Sequence, residues 1–286
     1  MPIELKGVHS TYAPGTAQAR PVLRGVDLEV RRGECLGILG PIGSGKTTLV
    51  RHLNGLLLPE RGTVRVGERI LTPGSSLRRL LSREVGVVFQ FPEKQLFAET
   101  VFEDVAGGLR FAECPAEETG RRVAEALARV GLDPKEYGER PPFSLTWGEK
   151  RKVALAGVLA LDTPRLVFDE PGAGLDPAGR ERLIVLIDDL VRREKRTVVV
   201  VSHHLDDLFR VADRLAVLDA GRIVFEGGLA ELCRRDDLSR RGLEWPPLIS
   251  LMRTLKEGHP GMRTDVRTPE EAAGILKPFL PPPIIQ

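Results

Sequence analysis

"CLGILGPIGSGKTTLVRHLNG", residues 35–55, decides the fold. Its first five residues are a continuous apolar run, the pattern of a strand buried on both faces. Residues 40–47, "GPIGSGKT", then match G-x-x-x-x-G-K-[ST], and the segment from Lys46 onward has helical periodicity. Gly40, Gly43 and Gly45 let backbone N–H groups close around phosphate oxygens, with Ser44 and Thr48 in the same cradle. The dipole of the following helix adds to that attraction. Lys46 reaches toward the β- and γ-phosphates of a nucleotide, and the Thr47 hydroxyl is a ligand for Mg²⁺. The segment predicts a nucleotide-binding α/β domain, with ATP and Mg²⁺ as its ligands.

Outward from that loop, short β-type runs alternate with helical patterns. "VGVVFQ", "RLVFDE", "RTVVVVS" and "RLAVLD" read as strands of a parallel sheet, with helices expected at 46–57, 117–130, 149–161, 178–193 and 204–212. The first seventy or so residues carry short strands and tight turns instead and predict a small antiparallel sheet. "RLVFDE", 165–170, ends in paired carboxylates. Neighbouring strand residues point to opposite sides, so the two divide their roles: Asp169 holds Mg²⁺ through water, and Glu170 polarises the attacking water. "VVVVSHHLDD" puts His203 just past another buried strand, at the edge where open α/β sheets bind ligands. We assign His203 to the γ-phosphate and His204 to the helix surface.

The 286 residues carry a formal net charge of +2 with both signs mixed along the chain. No basic stripe interleaved with aromatics occurs, so nucleic acid is not an expected partner. Cys35, Cys114 and Cys233 are far apart and read as free thiols of a reducing compartment. The N-terminal "MPIELKGV" reads as a strand rather than a signal peptide, and no apolar run approaches the ~20 residues that span a bilayer. Any membrane role therefore comes through a partner. Beyond about residue 230 the texture changes. "PPLISLMRTLKEG" and "TPEEAAGILKPFL" read as two helices, the second with Thr268 as N-cap, Pro269 in the first turn and Glu271 closing a capping box; "PPPIIQ" cannot continue it.

The order of these pieces resembles the ATPase subunits of ABC transporters, across residues 3 to about 230. The resemblance implies a P-loop NTPase core with a parallel sheet, an N-terminal antiparallel β subdomain, a helical signature subdomain and a small C-terminal α-containing extension. On it, Tyr12 corresponds to the aromatic residue that stacks on adenine. Gln90 is the Q-loop glutamine that senses Mg²⁺ and the attacking water. "GAGLDP", 172–177, is the D-loop with Asp176 at the dimer seam, departing at Gly172 where Ser or Thr is usual. "FQFPEKQLF", 89–97, and the tail 231–286 are similar to the energy-coupling-factor (ECF) branch, importers of vitamins and metal ions. That branch implies a second ATPase, non-identical in many cases, a transmembrane T subunit and a substrate-binding S subunit, with the ATPases peripheral on the cytoplasmic face of the membrane. The chain is thus expected to divide into an ATPase domain, 1–230, and a dimerisation extension, 231–286. An ATPase of a conventional ABC transporter and a low-turnover nucleotide-binding regulatory subunit are the alternatives.

One segment departs from the family. "LTWGE", Leu145 to Glu149, stands where L-S-G-G-Q acts in trans on nucleotide held by the partner. Thr146 keeps a hydroxyl for the γ-phosphate and Gly148 keeps the start of the helix. Trp147 replaces a glycine that allows close backbone approach, and Glu149 replaces a neutral glutamine. Either both side chains point away and the change is neutral, or they weaken the site that this chain completes on its partner.

Overall fold

The computed structural model describes residues 2–75, 84–235 and 237–279. Its centre is a six-stranded sheet in the order β10 (Arg222–Gly227), β9 (Arg214–Asp219), β3 (Cys35–Leu39), β8 (Thr197–Val201), β7 (Arg165–Asp169), β6 (Val85–Val88). All neighbours run parallel except the β9–β10 hairpin. The continuous apolar runs are explained by the two faces. Leu36, Ile38, Val167, Val199 and Val201 look into one core, while Cys35, Leu39, Leu166, Phe168, Val198 and Val200 look into the other.

The first core is closed by an antiparallel sheet, ordered β2 (Arg20–Val30), β1 (Ile3–Tyr12), β4 (Arg61–Val66), β5 (Arg69–Leu71). The second is closed by helices. Thr100 caps Val101–Phe111 by accepting from Glu103 N–H (3.2 Å), and that helix packs with Ala116–Arg129 against Trp147–Ala160. The Val101–Phe111 helix was not expected from the sequence, because its glycine pair at 107–108 breaks up the helical pattern. Gly108 packs closely there: a Cβ would sit 3.0 Å from the Leu161 side chain. The helix after the phosphate loop stops at Leu53, short of the expected 57.

The segment after residue 230 folds back onto the second core. Ile249 and Met252 of the helix Pro247–Gly258 are fully buried there, together with Leu232, Leu238 and Val266. Trp245 packs against Phe209 (ring centroids 6.4 Å apart), and the Arg253 guanidinium lies over the indole, 4.8 Å from its centroid. Thr268 caps the helix Pro269–Leu276 as expected, accepting from Glu271 N–H (3.2 Å). The Glu271 carboxylate, however, reaches back to Arg267 N–H (2.8 Å) rather than to that of the cap. The "PPPIIQ" expectation lies outside the described residues. Among those described, no helix is long and apolar enough to cross a membrane.

Candidate active site

The loop 40–47 crosses from β3 to the helix Lys46–Leu53 at the carboxyl edge of the parallel strands. Its glycines are required by geometry. A Cβ on Gly40 would lie 2.2 Å from the Leu218 carbonyl and 2.6 Å from Ser44 Oγ, and Gly45 has φ +107°. Lys46 is buried and donates to the carbonyls of Gly40 (2.7 Å) and Pro41 (3.0 Å), closing the loop on itself. Burial pulls its pKa down, opposed by the charges of Glu170 and Asp169. The N–H groups of the first helical turn have no intrahelical acceptor and face outward for an anion. Ser44 Oγ is buried without a hydrogen-bond partner. Tyr12 is exposed at the end of β1, opposite Arg20, and the same β2 strand brings Val22 against Gly45.

Thr47, Gln90 and Asp169 share one cavity of about 510 Å³ with Arg51 and Gln95. Asp169 is 1% exposed, and neither of its oxygens accepts a hydrogen bond of normal geometry. Burial raises its carboxyl pKa; the nearby Thr47 hydroxyl opposes that rise, and the Glu170 charge adds to it. A buried orphan carboxylate beside a hydroxyl and an amide oxygen is an all-oxygen set that suits a small hard dication.

Glu170 leaves the end of β7 with φ +51°, so a left-handed turn as well as strand alternation separates it from Asp169. Its carboxylate accepts from His203 N–H (3.0 Å) and meets His203 Nδ1 at 2.8 Å, with Ser202 Oγ 3.4 Å away. With the proton on Nδ1, Nε2 is left as the free nitrogen of a half-exposed ring. His204 stacks on that ring at 4.1 Å and stands at the N-cap of Leu205–Val211, so it is less purely a surface residue than its sequence suggested. Asp176 accepts from Gly179 N–H (2.8 Å) and thereby caps the helix Pro177–Arg192. At Gly172, a Cβ would come within 2.9 Å of the tip of the Asp207 side chain, which can move aside.

"LTWGE" resolves into a helix start. Leu145 is buried, Thr146 is the N-cap, and the helix begins at Trp147, earlier than the expected 149. The Glu149 side chain folds back on its own helix start. Its carboxylate accepts from Thr146 N–H (2.8 Å), Thr146 Oγ1 (2.7 Å) and the Tyr137 hydroxyl (2.8 Å). Those donors hold its pKa down at about 2. The Thr146 hydroxyl proton, expected on a γ-phosphate, is here committed to Glu149. Trp147 is 53% exposed and stands free at the mouth of the helix. The two substitutions are therefore unlike: the carboxylate is tied to its own helix start and to Tyr137, whereas the ring stands exposed.

Two residues that no local sequence pattern singles out complete the region. Tyr137 holds Glu149, and Arg151 is buried under the loop after β7. Arg151 sits within "KRK", 150–152, which reads as a solvated helix face, so nothing distinguishes it locally.

Residues 23–173 match the ABC transporter family. The chain belongs to the ABC transporter family. Among its relatives in the ECF branch, the energy-coupling factor transporter ATP-binding protein EcfA2 of Symbiobacterium thermophilum is 45% identical over 281 residues, covering 98% of this chain and 97% of that one. The EcfA2 of Acetivibrio thermocellus is 39% identical over 281 residues, covering 98% and 99%. Among solved structures, CbiO1 of Clostridium perfringens, part of the ABC transporter complex CbiONQ, aligns with TM-score 0.72 at 29% identity, over 90% of this chain and 95% of that chain. The ATP-binding cassette MJ0796, a dimer bound to ADP and Pi after hydrolysis, aligns with TM-score 0.72 at 28% identity, over 79% and 98%. This ABC protein thus shares both sequence and fold with ATP-binding cassettes along most of its length.

Proposed function

We propose that this chain is the ATP-hydrolysing motor subunit of an ECF-type importer of a vitamin or metal ion. It lies on the cytoplasmic face of the membrane, pairs with a second, non-identical ATPase, and drives a transmembrane T subunit that works with a substrate-binding S subunit. ATPase activity follows from family membership. The observation that carries the mechanism is the Glu170–His203 pair beside the Lys46 loop and the orphan carboxylate of Asp169.

Nucleotide phosphates bind the N–H groups of residues 43–48, with Tyr12 against the base. Lys46 leaves the Gly40 and Pro41 carbonyls to meet the β- and γ-phosphates. Thr47, Asp169 and Gln90 would hold Mg²⁺, which when bound supplies charge neutralisation between those phosphates. Glu170 accepts a proton from the attacking water, and the His203 ring presents its Nε2 edge to the γ-phosphate while Nδ1 keeps the base oriented. Segment 145–149 closes on the partner's nucleotide, Asp176 lies at the seam, and residues 231–286 help to hold the pair together.

Purification of the complex from membranes tests the transporter class: an S-type substrate-binding membrane protein should come with the chain, and its absence would return the protein to a conventional ABC transporter. In that complex Glu170→Gln should retain ATP binding and lose about 100-fold or more in turnover. An unchanged rate removes Glu170 from the role of base.

A further inference from the structure

Arg151 lies on the helix Trp147–Ala160, yet it is only 6% exposed. Its guanidinium donates to the main-chain carbonyls of Ala173 (2.6 Å), Glu170 (3.3 Å) and Pro171. All three belong to the loop that joins β7 to the Asp176 cap. No side chain of that loop takes part, so the contact reads backbone shape and not residue identity. A guanidinium suits this task because its fork of donors is rigid and always charged.

The shape it holds is a strained one. Glu170 is a non-glycine residue at φ +51°, a conformation that persists only where the surroundings fix it. On one side its N–H is tied to the Val201 carbonyl of β8 (2.8 Å). On the other side its carbonyl accepts from Ala173 N–H (3.2 Å), within the same loop, and from Arg151 (3.3 Å), among the described residues the one tie that comes from outside that loop. The bonds from His203 and Ser202 restrain the carboxylate but not the backbone that aims it. Behind the guanidinium lies Glu93, whose charge supports the Arg151 cation against burial and whose carboxylate oxygens are buried without hydrogen-bond partners.

We propose that Arg151 is a positioning residue for hydrolysis: from the helix whose start serves the partner's nucleotide, it holds Glu170 in the left-handed backbone that aims its carboxylate in this chain's own site. One rigid helix thereby ties the geometry of the two sites together. The inference rests on the reading of Glu170 as the base.

The test uses the purified transporter complex with the partner ATPase's hydrolytic carboxylate removed, so that only this chain's site reports. Arg151→Gln should lower kcat at least about tenfold while leaving the KM for ATP, and the affinity for labelled ATP, within about twofold. Arg151→Lys, which can still reach one or two of the carbonyls, should return kcat to within about threefold of the parent. Because Arg151 acts through Glu170, Arg151→Gln placed on Glu170→Gln should change the residual turnover by less than about twofold. A kcat within twofold of the parent for Arg151→Gln overturns the proposal. So does an equal loss in both backgrounds, or a loss shared by ATP affinity and melting temperature that lysine does not rescue, since either makes the residue merely structural. Normal turnover by Glu170→Gln alone brings down the base assignment and this inference with it. A crippled Glu170→Gln beside a silent Arg151→Gln brings down this inference only.

Discussion

Gly148→Ala separates folding from closure on a partner. Gly148 is the second residue of the helix Trp147–Ala160 and does not have the positive φ that would demand glycine. A Cβ built there meets nothing within 4 Å in the single chain. Alanine is the better helix former by at most about 1 kcal/mol, and less near a helix end. The substitution should therefore leave the melting temperature unchanged or raise it by up to about 3 °C. If the helix start closes on the partner's γ-phosphate, the same methyl group stands where a phosphate oxygen must approach the backbone. Loss of one such preorganised donor costs about 2.7–4 kcal/mol, or roughly 100- to 1,000-fold in rate. The assay is phosphate release by the complex with this chain's own site silenced by Glu170→Gln, so that the partner's site alone reports, alongside the melting curve of the isolated chain. Turnover within twofold of the parent would refute the trans role of the segment. A melting temperature lowered by several degrees would refute the steric reasoning in the single chain.

Other outcomes follow from the same geometry. Trp147→Gly should raise turnover at the partner's site about tenfold or more, because the exposed ring obstructs the approach; a change within twofold would make the ring a bystander. Glu149→Gln should leave that turnover within about twofold, since the carboxylate is bound to Thr146 and Tyr137, but should cost about 0.5–1 kcal/mol of stability, because a neutral amide oxygen accepts these bonds more weakly than the carboxylate does. The Glu149 pKa is depressed from 4.5 to about 2, so its contribution is complete above the ordinary value and fades as pH falls through the folded one. The stability gap between parent and Glu149→Gln, read by urea unfolding, should thus be constant near neutrality and narrow below about pH 4.5; a gap that widened in acid would contradict the assigned bonds. Deleting residues 231–286 should destabilise the ATPase itself, because Leu232, Ile249 and Met252 are buried in its core and each large-to-small loss there costs about 2–5 kcal/mol. Leu251→Asp, at a half-exposed position on the same helix, is the cleaner probe: it should weaken pairing in sedimentation with little change in melting temperature, and unchanged pairing would take the helix face out of the interface.

The sequence by itself determined the phosphate loop, the acidic strand end and the two-sided apolar strands. These are local patterns: a glycine spacing that only a tight loop satisfies, and runs such as "TVVVV" that must be covered on both faces. It also placed Thr268 at a helix start, because capping is decided within a few residues. Tertiary structure alone decided the rest. Glu149 is held by Thr146 in a capping box, which is local, but the third donor to its carboxylate, the Tyr137 hydroxyl, comes from outside its own helix and is supplied only by the fold. Whether a basic triplet is solvated depends on which turn of the helix meets the loop after β7, and "KRK" does not say that its middle residue enters the core. The tail, read as an appendage from its change of texture, contributes buried residues to the second core because amphipathic helices show only that they have an apolar face, not what covers it. Pairing across long sequence separations is the common cause: a residue's chemistry is written at its own position, but its partner is chosen by the fold.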